Sequence, residues 1–230
     1  MSGLYNKIKE SPVINRYMSE PAFRTRVSLH ITLCMNLLYV GINILSFFLY
    51  RSAWFILLAV YYLILVIMRL ILARYVRKNG IGNNHTGELK INRTCSAILL
   101  TVNISLTGAV LMMLYQERGF EYHGFLIYAV AIYTFYITIH AIVSMVKHRK
   151  YNSPVIMTTK AIALSASLFS LLALQTAMFS QFGQDMLIEH KRLMIALTGA
   201  GISITVITMS IYMIIKSSIG IRKESSKNGE

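Results

Sequence analysis

The stretch KHRKYNSPVIMTTKAIALSASLFSLLALQTAMFSQFG, Lys147 to Gly183, decides how the rest of the chain is read. It begins with Lys147, His148, Arg149 and Lys150, passes a Ser153–Pro154 pair, and then stays apolar or small for over twenty residues. A helix needs about 20 such residues to span the hydrocarbon core of a bilayer. Yet its first turns carry Thr158, Thr159 and Lys160, where a helix facing lipid would prefer leucine. The segment reads as a membrane helix, and its polar start raises the question of what the helix is for.

Composition supports the membrane reading. The chain has 230 residues, of which 55% are hydrophobic and only 14% charged. Soluble domains carry about a quarter charged residues. In a soluble protein a net charge of +14 would indicate a nucleic-acid partner. Here Lys and Arg sit in short segments between apolar runs, the pattern of cytoplasmic loops under the positive-inside rule. The expected partner is therefore the lipid bilayer and not nucleic acid. Cys34 and Cys95 lie in or at the edge of apolar runs and form no disulfide framework or CxxC site. The first 27 residues are polar, and no cleavable leader is expected.

Six apolar runs stand out, at about 28–50, 53–75, 95–115, 123–146, 155–180 and 193–215. None alternates apolar and polar residues as a barrel strand does. The expected fold is an all-α membrane protein, a six-transmembrane-helix bundle. Residues 1–27 are expected to form a cytoplasmic N-terminal segment, 28–215 the six-helix domain, and 216–230 a disordered cytoplasmic tail.

The interior offers little chemistry. The acidic residues Glu10, Glu20, Glu88, Glu117, Glu121, Asp185, Glu189, Glu224 and Glu230 all fall outside the apolar runs. Cation transport calls for a carboxylate in the membrane, to meet a desolvated ion or to carry a proton. Arg69 lies about two turns from the cytoplasmic end of the second helix and Lys160 close to the start of the fifth. Both are expected to snorkel to the interface, the alternative being a buried functional charge. His140 lies at similar depth in the fourth helix and reads as a packed, hydrogen-bonded residue. If Arg69 is buried instead, His140 is its expected neighbour. Asn36, Asn43, Asn103 and Gln175 are mid-helix amides, which interhelical hydrogen bonding or a solute explains equally well. No Gly-rich phosphate loop, Ser/His/Asp set or HExxH occurs, so no enzymatic activity, cofactor or resident metal is expected.

Two segments resemble the cation diffusion facilitator (cation efflux) family. NLLYVGINILSFFLYRSAWFILLAVYYLILV, Asn36 to Val66, is similar to that family's first helical hairpin, where an Asn-led helix precedes a turn, a Ser and a ligand-bearing helix. NSPVIMTTKAIALSASLFSLLAL, Asn152 to Leu174, is similar to its fifth helix, which opens Ser-Pro and carries further ligands. The loop NNHTGELKINR sits where the family has a His-Gly-Lys/Arg-x-Glu stretch. The resemblance covers about residues 28 to 215 and implies six helices with both ends cytoplasmic.

The resemblance also implies a transport site of four His or Asp side chains, two each on helices two and five. Aligned on Ser52 and Ser153–Pro154, those positions are Tyr61, Leu65, Ile162 and Ala166, none of which ligates a divalent metal. The family's cytoplasmic metal-binding domain is missing as well. Two functions stay open. One is a transporter-like protein handling another solute between helices two and five, with Arg69, His140, Asn36, Asn103 and Lys160 as candidate contacts. The other is a non-transporting scaffold or partner-binding subunit, acting as a homodimer or with another membrane protein. Polar groups converging between helices two and five favour the first; a sealed apolar core favours the second.

Orientation follows from charge. Seventeen Lys and Arg residues fall on the side of the termini and the 74–94 and 147–150 segments, and four (Arg51, Arg118, Lys191 and Arg192) on the other. Both termini are therefore expected in the cytoplasm. Reporter fusions at Arg118 and at the C-terminus are expected to label opposite sides of the membrane; labelling of the same side would rule out six spans.

Overall fold

The computed structural model describes residues 21–50, 53–80, 82–115, 126–148, 153–183 and 186–227. They form six helices and, among the described residues, no strand: α1 (Pro21–Tyr50), α2 (Ala53–Asn79), α3 (His85–Tyr115), α4 (Leu126–His148), α5 (Pro154–Phe182) and α6 (Ile188–Lys227). Three of the helices are long and apolar enough to cross a membrane, at Phe55–Asn79, Pro154–Phe182 and Ile188–Ser226. Shorter apolar stretches lie at Asn36–Leu45 and Thr134–Val146. Large apolar side chains such as Phe48, Ile132, Leu197 and Ile204 point outward. An apolar exterior of this extent marks a surface that does not face water.

Local chemistry sets the helix ends. Gly80 closes α2 in the left-handed conformation (φ 75°), and its N–H bonds the Val76 carbonyl at 3.0 Å. A residue with a Cβ adopts that conformation only at a cost. Asn84 caps α3, its Oδ1 accepting the Gly87 N–H at 2.8 Å. Pro154 sits in the first turn of α5, where its missing N–H would have had no helical partner. The segment NNHTGELKINR, read from sequence as a loop, is thus the capped start of α3, helical from His85 on.

The helices pack mainly as the pairs α1–α2, α3–α6 and α4–α5. Only α5 touches all five others. That position explains its composition. Buried residues cover most of the helix, from Val155, Thr158 and Ile162 through Ser165, Ala166, Phe169 and Ser170 to Ala177, and leave one half-buried stripe that includes Lys160, Leu164, Leu168 and Gln175. A central helix needs small side chains so that neighbouring backbones approach closely. Its hydroxyls meet their own backbone: Thr159 donates to the Val155 carbonyl at 2.9 Å and Ser165 to that of Ala161 at 2.9 Å.

Two expectations are corrected. Residues 216–230 were expected as a disordered tail, but α6 runs on to Lys227. At 1.5 Å per residue its 40 residues extend for about 60 Å, twice the hydrocarbon thickness. The extra turns are held because they lie along the start of α3. Ser217 is fully buried and accepts from Asn92 Nδ2 at 2.7 Å, and Thr86 hydrogen-bonds Glu224. The helix backbone at Gly220 comes so close to α3 that a Cβ there would meet Leu89 Cδ1 at 2.8 Å. Glu88, placed from sequence in a loop, lies in the first turn of α3 and is 1% exposed.

Asn92 joins three helices, so Asn92→Ala strands the buried Ser217 hydroxyl and cuts the link to Thr158, which keeps only its bond to the Pro154 carbonyl. A loss of about 1–3 kcal/mol is expected, read as a lower melting temperature in detergent. Thr101→Ala, at an exposed position of the same helix, is expected to change it little. Equal effects would refute a structural role for Asn92.

Candidate functional site: the α2–α5 crevice and its polar junction

The inward face of α2 repeats every three or four residues as Leu58, Tyr61, Tyr62, Leu65, Met68, Arg69, Leu72 and Val76, all buried. It lies against α5. Tyr62 Oη is 2.6 Å from Ser170 Oγ and also donates to the Ala166 carbonyl at 3.2 Å. The Tyr61 ring packs on Phe169 at 4.6 Å between centroids, and Tyr39 of α1 packs on Tyr62 at 4.8 Å. Tyr61, Leu65, Ile162 and Ala166 belong to one buried cluster with Phe169. The four positions singled out by resemblance are thus all buried in one core, filled by apolar and phenolic groups.

Arg69 corrects an expectation. It does not reach the interface; it is 2% exposed, and its Nε has no hydrogen-bond partner. The reason is directional. The Cα–Cβ bond of a helical residue tilts toward the helix N-terminus. For a residue near the C-terminal end of α2 that tilt leads inward, away from the basic end formed by Arg74, Arg77 and Lys78. The guanidinium lies within electrostatic reach of Tyr61 and Tyr62. Lys160, near the N-terminus of α5, tilts outward by the same rule and is half-buried.

The expected pairing of Arg69 with His140 is also corrected. His140 is exposed on α4 and stacks on Tyr136, with centroids 6.2 Å apart. Helix α4 packs on α5 and makes no contact with α2. Equal depth in two helices does not make neighbours when a third stands between them.

The other amides fall in different places. Asn103 ties α3 to α6, donating to the Ser203 carbonyl at 3.3 Å. Asn43 bonds its own helix at the Tyr39 carbonyl, 2.7 Å away. Gln175 reaches the Met194 carbonyl at 3.4 Å. Asn36 of α1 is 8% exposed, and its Nδ2 has no partner.

Closer to the basic end lies a polar junction that sequence reasoning missed. Glu88 of α3 accepts the Gly82 N–H at 2.6 Å and the Ser153 hydroxyl at 2.8 Å. Its carboxylate thus sits at the N-terminus of α5, where the helix dipole favours negative charge. One turn on, Asn92 Oδ1 is 2.7 Å from Thr158 Oγ1, which also lies 2.8 Å from the Pro154 carbonyl. Thr158 and Thr159 are buried, not the exposed polar start that the sequence suggests. Thr158 joins α5 to α3, and Asn92 continues the link to α6. The signal available in sequence was Thr158 itself, a polar residue facing no obvious solvent; its partner, more than sixty residues away, was not legible.

On the far side of α5 a cavity of about 140 Å³ opens between α3, α5 and α6, lined by Thr107, Val110, Leu172, Gly199 and Ser203. Phe169 lines it too and, through its contact with Tyr61, separates it from the α2–α5 crevice. The Thr107 and Ser203 hydroxyls pair at 2.7 Å along its wall.

Among the described residues no three His, Cys, Asp or Glu side chains converge on a metal-sized site. Among the described residues the fold is all-helical, with three helices long and apolar enough to cross a membrane and a closed crevice between α2 and α5. Comparison with protein-family models, with curated proteins and with solved structures gives no match.

The crevice chemistry makes a prediction about metal. Titration calorimetry with Zn²⁺ is expected to show no high-affinity site that persists when His30, His85, His123, His148 and His190 are all replaced by Ala. A persistent site would place ligands inside the helices and overturn the reading of Tyr61, Leu65, Ile162 and Ala166.

Proposed function

We propose that this chain is a multi-pass protein of the cytoplasmic membrane, a six-span bundle of the cation-efflux type with both termini inside, that handles a solute other than a divalent metal through the α2–α5 crevice. One observation carries the reading. Tyr61, Leu65, Ile162 and Ala166, where the resemblance puts metal ligands, are all buried in the core to which α2 and α5 contribute, and none ligates a divalent ion at neutral pH. On this reading the place of a central transport site is kept while its metal chemistry is gone. Arg69 and Tyr62 leave polar and cationic groups in the same crevice. Fold does not carry function, so the solute has to be argued from these residues.

A second reading, a non-transporting scaffold or partner-binding subunit, is favoured by how tightly the crevice is shut. The Tyr61–Phe169 and Tyr62–Ser170 contacts leave it closed. A transporter must open such a contact; a scaffold need not.

Access to Leu65 separates the two. In a Cys34→Ser, Cys95→Ala background, Leu65→Cys is expected to react slowly with a membrane-impermeant maleimide from at least one side of vesicles. Arg74→Cys, at an exposed position, is expected to react fast and serves as the reference. If Leu65→Cys stays unlabelled from both sides while Arg74→Cys is consumed, the crevice does not open and the scaffold reading stands.

A further inference from the structure

We propose that Arg69 and Asn36 together hold an oxyanion, a group presenting phosphate, sulfate or carboxylate oxygens, between α1 and α2 at the edge of the α2–α5 crevice. The proposal names the ligand chemistry of the proposed solute path and rests on that reading only for where the anion travels. Two buried nitrogen donors lack partners here, Arg69 Nε and Asn36 Nδ2. They lie on neighbouring helices, since α1 packs along α2.

The register places them together. Tyr39 packs on Tyr62, which fixes the level at which the two antiparallel helices meet. Asn36 lies three residues from Tyr39 and Arg69 seven from Tyr62, both toward the basic end. At 1.5 Å per residue their Cα levels differ by about 6 Å. The tyrosine rings that set this register carry the same tilt, so the separation applies to the side-chain ends, a gap that one oxyanion bridges by accepting from both donors.

Every unpartnered group at this corner is a donor, and one is a cation. A guanidinium buried in apolar surroundings is costly unless it meets negative charge and acceptors. Among the described residues no carboxylate pairs with Arg69. Glu88, the buried carboxylate of the neighbouring junction, already accepts from Gly82 and Ser153. Guanidinium offers parallel N–H groups that match two oxygens of one anion, and an amide N–H extends the cradle. The oxyanion has two sources, a free ion from the basic side or the phosphate of a lipid headgroup, and the same donors would take either.

The test uses purified full-length protein in detergent at constant ionic strength. Melting temperature is followed with sodium phosphate, sulfate or acetate against chloride, and phosphatidylglycerol retention by native mass spectrometry. Wild type is expected to gain stability with at least one of these probes. Arg69→Gln is expected to lose about tenfold or more in apparent affinity for that probe. Arg69→Lys is expected to bind more weakly than wild type, because an ammonium is a point charge without the fork. Arg74→Gln, which removes an exposed cation of the same helix, is expected to bind as wild type. A response to the small anions identifies a free solute; a response to phosphatidylglycerol alone identifies a lipid headgroup. If the Arg69 variants do not fold, Asn36→Leu, of similar volume, is expected to weaken the same response. The proposal is overturned if wild type responds to none of the probes, if Arg69→Gln responds undiminished, or if Asn36→Leu does. Because the readout is binding, it stands or falls separately from the labelling of Leu65→Cys.

Discussion

The structure depends on one helix that meets all the others. Because α5 touches all five neighbours, most of its circumference is buried, and the hydroxyls it carries there must find partners inside. Most turn back on the helix, as Thr159 and Ser165 do. Thr158, Ser170 and, at its N-terminus, Ser153 reach other helices instead. Ser153 meets Glu88 of α3, Thr158 meets Asn92 of α3 and so reaches α6, and Ser170 meets Tyr62 of α2. In apolar surroundings an unmet polar group costs several kcal/mol, so these bonds select one register among the many that apolar packing alone would accept.

That constraint also separates two zones along α5. Toward the basic end it is joined by side-chain hydrogen bonds to α3 and α6, and the long C-terminal turns of α6 are held by the same junction. Further in, it meets α2 through aromatic and aliphatic contacts around Tyr61, Leu65, Ile162, Ala166 and Phe169. The Tyr62 hydroxyl, paired with Ser170 and the Ala166 carbonyl, gives this zone a direction too, and Phe169 stands there between the crevice and the cavity.

Arg69 is where local and tertiary demands conflict. Its neighbours along α2 belong to the apolar stripe, and one turn toward solvent the exposed Arg74 shows where a cation on this helix finds water. Side-chain direction holds Arg69 on the wrong side for snorkelling, and the packing of α1 against α2 keeps it covered. Sites that break the local rules in this way are where ligands are commonly met.

From sequence alone the class was legible. The low charge, the spacing of apolar runs and the clustering of Lys and Arg point to an all-helical protein that meets lipid, and the helices fall where those runs lie. That Tyr61, Leu65, Ile162 and Ala166 are apolar or phenolic was legible, and the structure buries all four. What lies between helices was not. Period and composition describe which residues share a face of one helix, but carry no information on which helix that face meets. So His140 was placed beside Arg69 although α5 separates α4 from α2, and Glu88 was assigned to a loop although it is buried against Ser153. The tail at 216–227 read as polar and unstructured because its partners are on α3, over a hundred residues earlier in the chain. Arg69 was legible as an anomaly, but whether its side chain reached water depended on helix direction and on α1, and only the tertiary structure decided that.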